Sequence, residues 1–112
     1  MTGAGRRRPA SPARHERPAI DEAALAAARA GDRLLDAARA AGAARWTAYL
    51  EPIPDLLRDA ELAELRKVAL RARSAYGAKE SVRDDLPPAA TEPFLDAIDR
   101  LLKELARREA AG

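Results

Sequence analysis

At 112 residues the chain has room for one domain and no more. Its 29 alanines, fourteen leucines and 17 arginines stand against two valines and three isoleucines, a composition that favours helices and starves strands. The absence of Cys excludes a disulfide scaffold, a thiolate zinc site and a cysteine nucleophile, and no apolar run approaches the roughly 20 residues that cross a bilayer.

Only three lysines accompany the arginines, and Asn and Gln are absent. This bias is that of a high-GC bacterial genome. The expectation is an all-α, reduced, cytoplasmic protein. The net charge of +2 divides unevenly: residues 1–17 carry five Arg against one Glu, and the remainder is slightly acidic.

Residues 1–18 read as a disordered basic tail, with three prolines and no large apolar residue after Met1. Arg6, Arg7 and Arg8 could open a secretory signal, but the prolines that follow leave no apolar segment behind them. The single His15 lies in this tail, without neighbours to tune it. Residues 19–112 are expected to form a single helical domain.

The helical pattern begins at Ile20, with Asp21 and Glu22 where a first turn favours negative charge. Leu25, Ala28, Gly31, Leu35, Ala38, Gly42, Trp46, Tyr49 and Ile53 follow at steps of three or four. Both glycines fall on this stripe, where a missing side chain lets another backbone approach. The pattern therefore favours one long helix over 21–50; the alternative is two helices parted at Gly42. Pro52 and Pro54 end this element, and Pro54 suits the first turn of the next.

A second helix is expected from Pro54 to Tyr76, kinked near Asp59. Its acids come early and its bases late, the order that the helix dipole favours, and Gly77 is the expected left-handed stop. Ser81 and Asp84 have capping-box spacing for a short turn that Val82 and Leu86 would pin to the core. The last helix is expected over Glu92–Arg108, capped by Thr91, with Pro93 in its first turn. Phe94, Leu95, Ile98, Leu101, Leu102 and Leu105 form its apolar arc. Asp96–Arg100, Asp99–Lys103 and Glu104–Arg108 are acid-then-base pairs on its other face.

Single amphipathic helices are marginal in water, so these stripes must cover one another. The expected fold is a small antiparallel helical bundle of three main helices. Its modest core makes homodimerisation through the first helix a second expectation.

No reacting constellation emerges. Asp84 and Asp85 would point about 100° apart on a helix, a poor acid–base dyad. Ser81 lacks the Ser-x-x-Lys spacing, and the glycines are too isolated for a phosphate loop. A non-enzymatic protein with no cofactor and no metal is expected. Its partner would be a protein, held through an exposed helical stripe or the loop at 77–90. Lys79, Glu80, Arg83 and Asp85 are charges with no evident duty in the fold, and are the candidate contacts. Nucleic acid is the alternative partner, held non-specifically by Arg6, Arg7 and Arg8 and by a ridge of Arg66, Lys67, Arg71 and Arg73. A helix-turn-helix around Gly77 fails, since Arg73 and Arg83 occupy positions that should be small or apolar, and no Asn or Gln is present to read adenine.

Overall fold

The computed structural model describes residues 13–111, with side chains to Arg108. The chain is all-α, and no strand occurs among the described residues. Ordered structure begins earlier than the expected end of the tail. Arg14–Glu16 form a 3-10 turn, and helix α1 follows over Pro18–Ala40. The rest of the tail, with Arg6, Arg7 and Arg8, lies outside the described residues.

Helix α1 starts on Pro18, whose fixed φ suits a first turn. Its buried face is Ile20, Ala23, Ala24, Ala27, Ala28, Ala30, Gly31, Leu34, Leu35 and Ala38. Mostly alanine, this face removes little area per residue but permits close packing. The stripe that suggested a dimer is covered from within the chain, by α3 and α6.

The single helix expected over 21–50 is broken at Gly42. Gly42 has φ 68°, its N–H bonds Arg39 O at 3.1 Å, and Ala43 N bonds Ala38 O at 2.9 Å. Those two bonds make a Schellman stop, which glycine favours because it enters the left-handed region without steric cost. The chain then re-enters helix as α2, Ala44–Leu50, burying Trp46 and Leu50. Gly31, by contrast, stays helical, and what approaches it closely is side chains, not the backbone expected. A Cβ there would lie 3.0 Å from Phe94 Cε1 and 3.4 Å from Pro54 Cγ.

The helix expected from Pro54 to Tyr76 is also two elements. Helix α3 is Ile53–Asp59 and α4 is Leu62–Arg73, parted where Ala60 and Glu61 are extended. Both Leu57 and Leu62 are buried. Five positions apart on one helix they would face about 140° away from each other, and the break lets both turn inward. Helix α4 tightens into a 3-10 turn, Ser74–Tyr76, and Gly77 leaves with φ −66° and ψ 170°. It is extended, not the left-handed stop expected. The left-handed residue is Glu80, φ 53°, the one non-Gly residue with positive φ among those described.

Helix α5, Val82–Asp85, carries the capping box legible in its sequence: Ser81 Oγ accepts from Arg83 N at 3.1 Å, and Asp84 Oδ2 accepts from Ser81 N at 3.1 Å. Val82 and Leu86 are buried as expected. The last helix, α6, spans Pro88–Ala111 and starts a turn earlier than Thr91 implied. Pro87 O accepts from both Ala90 N and Thr91 N at 3.0 Å, so Pro88 opens the helix and Thr91 is buried inside it. Pro93 sits in the helix interior, and Ala89, whose carbonyl would take the missing N–H, is exposed.

Helices α1 and α6 make the most extensive pairing; α3 packs on α1, and α4 on α6. Phe94, Ile98 and Leu101 of α6 and Leu34, Ile53, Leu57 and Leu65 are fully buried at their meeting. Two expected pairs on α6 are replaced. Asp99 takes Arg73 of α4 at 2.9 Å, and Glu104 takes Arg107 at 3.7 Å. Among the described residues no helix is long and apolar enough to cross a membrane.

Candidate partner-binding corner

Where the chain turns from α4 into α5, the loop folds back over α2. Trp46 is buried there, and its Nε1 donates to Asp85 Oδ2 at 2.6 Å. The Tyr49 ring meets Trp46 edge to face, centroids 5.9 Å apart. Tyr49 OH donates to the Arg71 carbonyl at 2.6 Å. Each ring therefore has an apolar body in the fold and a polar tip that is satisfied. Trp46 and Tyr49 lie three residues apart on α2, so a short helix is enough to present both.

Two guanidiniums cover these rings. Arg45 lies 4.6 Å over Trp46, and Arg71 lies 5.7 Å from the Tyr49 centroid. Arg45 also pairs with Glu80 at 2.7 Å across the chain reversal. The left-handed backbone of Glu80 allows the loop to turn its carboxylate onto α2. Between α2, Ser74, Ala75 and this loop lies an open cavity of about 490 Å³, lined by Arg45, Trp46, Tyr49, Lys79 and Glu80.

A second network locks the far side of the corner. Arg83 donates to both carboxylate oxygens of Glu92, at 2.8 and 2.6 Å, and lies 5.9 Å from the Tyr76 ring. Tyr76 OH donates to Thr91 O at 2.6 Å. Burial pushes the Tyr76 hydroxyl well above its ordinary pKa, with Glu92 adding to it. The hydrogen bonds from Arg83 hold the Glu92 carboxyl down at about 2.

Three of the four charges read as without duty thus have one: Glu80 pairs with Arg45, Arg83 with Glu92, and Asp85 with the indole. Lys79 alone has no hydrogen bond or ion pair among the described residues, and it lines the cavity. Sequence reasoning missed Arg45 as a site residue. Its place beside Trp46 in the chain is visible, but its stacking and its pairing with Glu80 depend on a loop some 35 positions away.

The basic ridge is engaged within the chain. Lys67 pairs with Glu64 at 3.6 Å, Arg73 with Asp99 at 2.9 Å, Arg71 covers Tyr49, and Arg66 also has an intramolecular partner. Among the described residues no group of three or more His, Asp or Glu is placed to hold a metal ion. Against models of known protein families, curated proteins and solved structures, the chain matches none.

Proposed function

We propose that the chain is a small, non-enzymatic helical interaction module that receives a protein partner at the corner between α2 and the loop at 77–81. The observation that carries this reading is the construction of the cavity wall. The buried Trp46 supports the exposed Arg45, and the half-buried Tyr49 is fixed at its hydroxyl, so recognition groups are held ready at low entropic cost. Aromatic and Arg side chains of this kind dominate binding energy at protein interfaces. Ser74, the hydroxyl beside the cavity, donates to the backbone carbonyl of Leu70 at 3.0 Å, which does not activate it as a nucleophile.

Nucleic acid is the second reading, since exposed pairs of the ridge such as Lys67–Glu64 could exchange for phosphates. Photocrosslinking decides between the readings. A photoreactive side chain at exposed position 48, which also lines the cavity, should capture a protein that the same group at exposed position 33 does not. Identical adducts from both positions, or no adduct from 48, would refute the corner as a contact surface. Tight duplex DNA binding at about 50 mM salt, where electrostatic contact is strong, would favour nucleic acid instead.

A further inference from the structure

We propose that the cavity at this corner is a carboxylate site for an acidic peptide segment, and that Glu80 is its internal competitor. In the free protein the loop lays its own carboxylate on Arg45, where a partner's Asp or Glu would sit. This rests on the reading of the corner as a contact surface, and adds to it the chemistry of the partner.

Charge sets the ligand class. Arg45 and Lys79 face one carboxylate, Glu80, so the cavity lining carries one net positive charge. Lys79 has no acidic partner among the described residues. Arg45 already holds a carboxylate, that of Glu80 at 2.7 Å, so a partner's carboxylate can take the same place, with Lys79 left to receive a second. The half-buried ring of Tyr49 gives the segment's apolar atoms a surface to lie against.

Geometry sets the competition. Arg45 Cζ lies 4.6 Å over the Trp46 ring, and a guanidinium has five donors in a fixed fork that suits a carboxylate. Its pairing with Glu80 is easily exchanged. Both side chains are more than half exposed, at 58% and 70%, and exposed ion pairs are weak. Glu80 also reaches Arg45 from a backbone conformation that L residues disfavour, so releasing it lets the loop relax. The competitor is therefore present but poorly held, which suits a site that must open to a partner.

The test is titration of the full chain with an end-blocked oligo-glutamate peptide, followed by heat or by the emission of Trp46. Oligo-glutamine and inorganic phosphate serve as comparisons. Oligo-glutamate should bind, more weakly as salt rises, and Arg45→Gln and Lys79→Gln should each weaken it at least about fivefold. Glu80→Gln should tighten binding by about two- to sixfold, the factor by which removing a weak internal competitor raises the competent population. Oligo-glutamate failing to bind Glu80→Gln would overturn the proposal. So would unchanged affinity in that variant, or phosphate competing as well as the peptide. If the peptide fails while position 48 still captures a protein, the carboxylate site falls and the contact surface stands. If both fail, both fall.

Discussion

At the scale of single residues, two glycines with the same place on a stripe do opposite things, and the same substitution separates them. Gly31→Ala gains helix propensity but drives a methyl against the fully buried Phe94 ring, so a net loss of about 1 kcal/mol is expected. Gly42→Ala meets no atom within 4 Å, yet should also cost about 1 kcal/mol, through the left-handed backbone alone. Asn tolerates that region, so Gly42→Asn should recover part of the loss, while Gly31→Asn should be worse than Gly31→Ala. Urea unfolding midpoints of the four variants check this. Spacing placed both glycines on the apolar stripe, which holds for the buried Gly31 but not for Gly42, which is exposed. It could not show which one has a ring pressed against it, because Phe94 comes from the other end of the chain. Glu92 makes a second residue-level prediction. Its folded pKa is depressed to about 2 from an ordinary 4.5, so its contribution to stability is complete above 4.5 and is lost as pH falls towards 2. Arg83→Gln should flatten the stability profile in that window, as thermal melts at stepped pH would show; an unchanged slope would mean that Arg83 does not hold Glu92.

At the scale of elements, the breaks were harder to read than the helices. The capping box at Ser81 and the apolar arc of α6 are local patterns, and both were legible. The gap between α3 and α4 has no glycine and no proline in it. What holds it is Arg14, whose Nη1 donates to the carbonyls of Leu57, Arg58 and Ala60 at 2.8, 3.0 and 2.9 Å. Those are end-of-helix carbonyls that lack partners within α3. Asp21 on α1 pairs with the same guanidinium at 2.9 Å, and the side chain is only 11% exposed. A residue in a stretch with the composition of a disordered tail thus stops a helix more than 40 positions away, which no local pattern could reveal. Arg14→Ala should cost about 2 kcal/mol, in keeping with the loss of charged hydrogen bonds, and Arg14→Lys should recover only a fraction because an ammonium lacks the planar fork. Removal of residues 1–14 should lower the unfolding midpoint relative to removal of residues 1–12, as Arg14→Ala does relative to the full chain. Equal midpoints for the two truncations would show that the helix break stands without this contact.

At the scale of the whole molecule, the all-α class was written in the composition, but the partnering of helices was not. Amphipathic stripes say that faces must be covered and leave open which helix covers which. Here the first and last long helices, α1 and α6, are each other's main partners, and Gly31 meets Phe94 at their contact. A chain ending after α5 should therefore not retain a stable remainder. It should show little cooperative unfolding by circular dichroism, and a persisting sharp transition would contradict the pairing. The same pairing has a consequence in time. Synthesis delivers α1 well before α6, so after α3 has packed on α1 the part of its face that α6 covers still waits. Each helix is local and quick to form, but the contact that stabilises them closes the longest loop in the molecule, and its entropy must be met before burial repays it. Folding of this protein is thus an event of completion, in which the final helix brings the first one to rest.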